Sequence, residues 1–218
     1  MTEPLTFDFV YIPEDSIFIE EERRYYTKEF KSAVDSIIQE AHLRVSVPSY
    51  QKIYLSRTLL KDKEDFGELK IEKAFANKGY KVIHPEKYSV EEQVCYLNQT
   101  TEVAATLGSI SHLSLFALPE TKVVILLKND YLNTYQTVID AIAGNNVIYI
   151  NSHHTFKQKK FWDGPFYLSI TKHLSLFLCV NSFLNFRVLD IEWYRYMYRF
   201  LQLKKQAIKR KLVLLLKQ

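Results

Sequence analysis

Glycine is scarce in this chain of 218 residues, with 5 Gly against 15 Tyr and 14 Phe. That ratio argues against flexible linkers and for a densely packed interior. Cysteine is scarcer still. Cys95 and Cys179 lie far apart among apolar neighbours, and neither has a second Cys or a His at metal-ligand spacing. Both read as buried thiols of a reducing compartment rather than as parts of a disulfide or metal framework. The opening Met1-Thr-Glu-Pro-Leu5 lacks the basic and apolar regions of a leader, and no apolar run has bilayer-spanning length. Residues 174–180 form the densest run and are much too few. The expected setting is the cytoplasm. There is no internal repeat or low-complexity segment.

What is present is ordinary in bulk and ordered in pattern. Hydrophobic residues make up 47% and charged residues 25%, enough for one sizeable core. Residues 7–12 partly alternate and stop at Pro13, which predicts an edge strand. Residues 26–43 have helical spacing, with Phe30, Val34, Ile37, Ile38 and Ala41 on one face. After Pro48 a regular series begins. A strand at 52–57 ends in Ser56 and Arg57, and Asp65 with Glu68 resembles a capping start for a helix that Asn77-Lys-Gly79 stops. A strand at 80–83 is followed by the capping-box pattern Ser89-Val-Glu-Glu92, which opens a helix through Leu97, and then by a strand at 103–106. The continuous apolar run 122–127 reads as a strand covered on both faces; a helix at 131–143 and a strand at 147–150 complete the series. Strand and helix alternate throughout. The predicted fold is α/β, a Rossmann-like, mostly parallel sheet with right-handed crossovers over residues 52–150.

In such a sheet ligands bind beyond the carboxyl ends of the strands. That rule gathers Ser56, Arg57, His84, Gly108, Ser109, Lys128, Asn129 and residues 151–154. The stretch 102–116 is the centre of the group. It reads as a strand, a tight turn at Gly108-Ser109 and the start of a short helix. Such a turn aims backbone N–H groups and the positive end of a helix dipole at one spot, where a phosphate fits. Each residue also has a plainer reading: Arg57 as a surface ion-pair partner, Gly108 as a tight turn, His112 as a hydrogen-bonded structural residue, and Glu68 and Glu92 as caps. His153 and His154 are consecutive and point apart on a regular element, which argues against a metal there.

The net charge is only +4, too small to imply nucleic acid, but it is unevenly spread. No acid follows Glu192, whereas Arg195, Arg199, Lys204, Lys205, Lys209, Arg210, Lys211 and Lys217 do, with Met197, Leu201, Ile208, Leu212 and Leu215 recurring between them. A basic amphipathic helix headed by Trp193, Tyr194, Tyr196 and Tyr198 suits an anionic membrane surface. It equally suits a helix packed on the domain with a solvated basic face.

Over about residues 52–128 the chain resembles the C-terminal half of glycosyltransferase family 61, which includes enzymes of capsule-type polysaccharide assembly. The elements that carry the resemblance are Tyr54-Leu-Ser-Arg57, Gly67-Glu68 where the family often has Asn-Glu, Gly79-Tyr80, Pro85-Glu86, Ser89-Val-Glu-Glu-Gln93, Gly108-Ser109, and Phe116 followed by Pro119. The resemblance implies one half of a GT-B-like enzyme. It places Arg57 on the donor diphosphate, Gly108 and Ser109 as its cradle, Ser56 beside them, and Glu92 or Gln93 on the ribose or base. It also implies no metal or other cofactor, since basic side chains and a helix N-terminus neutralise the leaving group. Many members have His before the glycine and Asn a few residues on; here Leu107 and Leu113 stand there, and the catalytic role falls to His112 or is lost.

Three parts are therefore expected: a strand and helix segment at 1–50, as a remnant of or link to an acceptor half; a nucleotide-sugar-binding domain at 51–185; and a basic amphipathic helix at 186–218. The implied partners are a nucleotide-sugar donor, a glycan or lipid-linked acceptor and, through the last helix, an anionic membrane, with no nucleic acid. The setting is cytoplasmic or peripheral on the inner face of a membrane. Three functions remain open: a glycosyltransferase of surface-polysaccharide assembly, a non-catalytic nucleotide-binding or partner subunit, and a basic interaction module.

Overall fold

The computed structural model describes residues 17–20, 23–60, 64–156, 164–180 and 191–215. Its centre is a sheet of five parallel strands: β3 (Lys52–Leu55), β5 (Lys81–Ile83), β6 (Glu102–Thr106), β7 (Lys122–Leu127) and β8 (Asn146–Asn151), in the order β5-β3-β6-β7-β8. Side chains leave alternate faces of a strand, and the core divides accordingly. Tyr54, Ala104, Val124 and Leu126 pack on one face against Ile71 and Phe75 of α2 (Glu68–Ala76) and Leu174 and Leu178 of α5 (Lys172–Leu178). Ile53, Leu55, Val103, Ala105, Val123 and Ile125 pack on the other, against Tyr96 and Leu97 of α3 (Val90–Asn98). Burial on both faces is why β6 and β7 lack the alternation of a half-wet strand. Between β7 and β8 the chain forms α4 (Thr134–Ala143).

The strand order fixes where a ligand belongs. From β3 the chain moves outward to β5, then returns past β3 to lay down β6 on its other side. The connections leaving β3 and β6 therefore run in opposite directions, opening a crevice between their carboxyl ends. Ser56 and Arg57 stand at one lip and Leu107 and Gly108 at the other.

Most predicted elements are present within a few residues of their expected bounds, and the departures have physical causes. Ser89 does open α3 with a full capping box: its Oγ accepts from the Glu92 N–H at 3.2 Å, and Glu92 Oε2 accepts from the Ser89 N–H at 2.7 Å. Asp65 does not cap α2. It forms β4 (Asp65–Phe66), paired in parallel with β9 (Phe166–Tyr167), and left-handed Gly67 occupies the N-cap. Glu68 is buried, and its Oε1 accepts from the Arg57 N–H at 3.0 Å. The segment after Gly108 is a 3-10 helix, Ser111–Phe116, because its buried positions recur every third residue at Ser111, Ser114 and Ala117.

Near the start, β1 (Ile17–Glu20) and β2 (Arg23–Tyr26) form an antiparallel hairpin, and Thr27 caps α1 (Lys28–Arg44). Tyr26 thus belongs to a strand. On α1, Val34 and Ala41 are buried while Ile37 is exposed, so the apolar face is narrower than its spacing suggests. The strand expected at 7–12 lies outside the described residues. Cys95 is buried but Cys179 is exposed, at the left-handed C-cap that turns it off the end of α5. The last element is α6 (Ile191–Leu215). Among the described residues, no helix is long and apolar enough to cross a membrane.

Gly67 joins two of these features. Its φ is +84°, and a Cβ there would collide with the Leu168 carbonyl oxygen just beyond β9. Gly67→Ala is expected to destabilise the fold by about 2–4 kcal/mol, from left-handed strain plus backbone overlap, measured as a lowered urea midpoint.

Candidate active site

At the crevice the structure brings together Arg57 after β3, Gly108 after β6 and Lys128 after β7. A Cβ on Gly108 would lie 3.6 Å from Lys128 Nζ and 4.0 Å from Arg57 Nη1, so both cations stand over the glycine. Its φ of +143° is one that other residues rarely adopt. The two cations share one carboxylate. Asp65 Oδ2 accepts from Arg57 Nη1 at 3.3 Å, and Oδ1 accepts from Lys128 Nζ at 3.2 Å. Asp65 is 3% exposed, while Lys128 and Arg57 retain 12% and 24%. The anchor is thus sealed and the cations still face solvent. Lys128 Nζ also sits 4.6 Å from the centre of the Phe166 ring, a cation–π contact. A cleft of about 250 Å³ lies beside them, lined by Leu107, Gly108, Ser109, Lys128, Asn129, Asn133 and Phe166.

Asp65 fixes both cations at the cleft, so an anion entering there meets donors that are already oriented. The attraction comes from side chains rather than from a helix end. The 3-10 turn that follows Gly108 has only six residues, and the Gly108 N–H is occupied by Ser111 Oγ at 3.1 Å. Among the described residues, no group of three or more His, Cys, Asp or Glu converges as a metal ion would require.

The other candidates stand elsewhere. Ser56 is buried and donates to Glu72 Oε2 at 2.6 Å, behind Arg57 rather than in the cleft. Glu92 is committed to the Ser89 cap, and Gln93 Nε2 donates to the carbonyls of Pro85 and Tyr88. Both therefore hold the β5–α3 connection at the sheet edge and do not line the cleft. His112 is one residue removed. Asn133 Oδ1 accepts from the Tyr135 N–H, which turns Nδ2 toward His112 Nε2 at 3.4 Å. That nitrogen is then the acceptor of a neutral imidazole, and Asn133, not His112, reaches the cleft.

Lys128 and Asn129 follow from the strand-end rule, but nothing marked Lys128 above the other lysines. Asp65, Asn133 and Phe166 carry no sequence signal of a site. Asp65 resembles a helix cap, Asn133 is a cap with a second use, and Phe166 arrives through a two-residue pairing that leaves no periodic trace.

Burial holds His112, His153 and His154 below the ordinary imidazole range, with Asp140 opposing the shift at His112 and Asp130 at His153. The unfolded chain then takes up protons first, so stability falls as pH drops through the unfolded imidazole value of about 6.5. The melting temperature should decline from pH 7 to pH 5, and His112→Gln should flatten part of that slope; a slope unchanged in the variant counts against it. Asp65→Asn leaves Arg57 and Lys128 facing each other unpaired, and is expected to lower unfolding free energy by about 2–3 kcal/mol in denaturant titration.

A family model described as Glycosyltransferase 61 matches residues 8–124, more than half of the chain. The match begins well before Lys52 and takes in β1, β2 and α1; it ends within β7, short of Lys128. No curated protein matches the chain.

Proposed function

The chain belongs to glycosyltransferase family 61, and from that membership we propose that it moves a sugar from a nucleotide-sugar donor to a growing surface glycan or lipid-linked acceptor. The pathway in view is capsule- or lipopolysaccharide-type polysaccharide assembly, with donor and enzyme in the cytoplasm. The observation that carries the donor assignment is the pair of oriented cations over Gly108, Arg57 and Lys128, held by one buried carboxylate at the crevice of a doubly wound sheet. In the transfer, the bond between the anomeric carbon and the diphosphate breaks, a bond to an acceptor hydroxyl oxygen forms, and the proton of that hydroxyl passes to solvent or to the departing diphosphate. The leaving diphosphate gains negative charge as it departs, and Arg57 and Lys128 offset that charge without reorganising. The same neutralisation supports transfer without a metal.

In this reading Ser109 and Asn129 meet the rest of the donor on the cleft wall. Ser56 acts as a positioning residue, fixing the turn that presents Arg57. His112 acts through Asn133 as a positioning residue as well. Glu92 and Gln93 shape the neighbouring loop. Leu107, standing where many family members carry His, favours the alternative of a subunit that binds the nucleotide without turnover.

Calorimetry with a panel of nucleoside diphosphates and nucleotide-sugars tests the site. One nucleotide should bind saturably, and Arg57→Ala and Lys128→Ala should each weaken it at least about ten-fold, the value of one charge-assisted hydrogen bond. Glu92→Ala should leave affinity intact. Equal affinity in the wild type and Arg57→Ala overturns the assignment. Release of nucleoside diphosphate from the bound donor when acceptor is added separates the transferase from the binding subunit.

A further inference from the structure

The helix α6 has two faces with different fates. Along its first three turns, one face is docked on the β4–β9 pair. Tyr196 is fully buried, with its ring 5.6 Å from that of Tyr167 and 6.2 Å from that of Phe66, and its hydroxyl accepts from the Phe156 N–H at 2.7 Å. Arg199 closes this contact with three hydrogen bonds to Glu64, two from Nε and one from Nη2. The opposite face is apolar too, yet it is open. Tyr194, Tyr198, Leu201 and Ile208 recur at helical spacing on one side and are 52%, 67%, 59% and 61% exposed. Exposed Lys204 and Lys211 flank this stripe on one side and Lys209 on the other, while exposed Lys205 interrupts it between Leu201 and Ile208.

The charge decides what can cover such a stripe. Eight Lys and Arg residues follow Glu192 in the chain and no acid does. A second copy of this helix would bring lysines against lysines in either orientation, since they border the stripe on both sides. An anionic lipid surface meets both demands: the apolar stripe enters the headgroup boundary, the tyrosines sit at that depth, and the lysine stems extend outward to the phosphates. Twenty-five residues span roughly 37 Å, so the helix lies along such a surface while its docked end stays on the domain.

We propose that the open face of α6 binds anionic membrane. This goes beyond the transferase reading and stands without it, because nothing in the argument uses the cleft. Since α6 also backs the β4–β9 pair that carries Asp65 and Phe166, a bound membrane lies against the element that supports the candidate site.

Flotation of the whole protein with vesicles tests it. The protein should float with vesicles of phosphatidylcholine mixed with phosphatidylglycerol and stay behind with phosphatidylcholine alone. Binding should fall as salt rises. Leu201→Ser with Ile208→Ser should abolish binding even at low salt. Lys205→Gln and Lys209→Gln should each weaken it about five-fold, the equivalent of about 1 kcal/mol per lysine near an anionic surface. All four positions are exposed, so melting temperatures should match the wild type. Failure to float at low salt overturns the proposal, as does equal binding to neutral vesicles. A concentration-dependent dimer that the double serine variant abolishes, without vesicle binding, assigns the face to a second copy instead. Nucleotide calorimetry on the same preparation is independent, so a loss of vesicle binding does not implicate the cleft.

Discussion

The carboxylate of Asp65 organises the charged chemistry of this protein. Buried between Arg57 and Lys128, it holds two cations close together at the strand ends without their driving each other apart. Remove it in thought and each cation relaxes into solvent, where a guanidinium and an ammonium have many orientations and little selectivity for an incoming anion. The carboxylate is in turn placed by β4, which is placed by β9, which is covered by α6. The site therefore depends on elements outside the five-stranded sheet as much as on the sheet itself.

That division explains what could be read from the sequence. The parallel strands were legible because burial on both faces turns β6 and β7 into unbroken apolar runs, a signal no loop imitates. Helix α3 was legible because its capping box is a local device of four residues. The strand-end rule then found Arg57, Gly108 and Lys128 without any contact being known. The β4–β9 pairing was not legible. Two residues joined to two others a hundred positions later produce no period, and Asp65 beside Gly67 and Glu68 imitates a helix start. The 3-10 turn after Gly108 was hidden for a related reason, since three-residue and 3.6-residue spacings barely diverge within six residues.

His112 shows how a correct neighbourhood can still mislead about a role. It lies beside the crevice, as its position after Gly108 implied, but its ring nitrogen is taken by the Asn133 amide, which occupies the wall. A polar network lies behind it: Gln136 joins the hydroxyls of Ser111 and Ser114 to Asp140, and Tyr149 donates to the same carboxylate. Burial raises the Asp140 carboxyl, against the pull of those hydrogen bonds. The network ties the turn after β6 to α4, adding polar links to the apolar packing of Leu107 and Ile110.

The pairing of β4 with β9 also sets an order in time. Every strand of the central sheet finds its partner within a short stretch of chain, whereas β4 waits for residues that follow a hundred positions later. During synthesis the five strands and the core on their α3 face can consolidate while β4 still lacks its partner strand, because β9, α5 and α6 follow them out of the ribosome. The same sequence runs backward in the finished protein. A two-residue pairing braced by one helix is a weak unit compared with a doubly buried sheet, so slow amide exchange should persist in β6 and β7 long after β4 has opened. The fixed spacing of Arg57 and Lys128 would then be the last feature of the crevice to be acquired and the first to be given up.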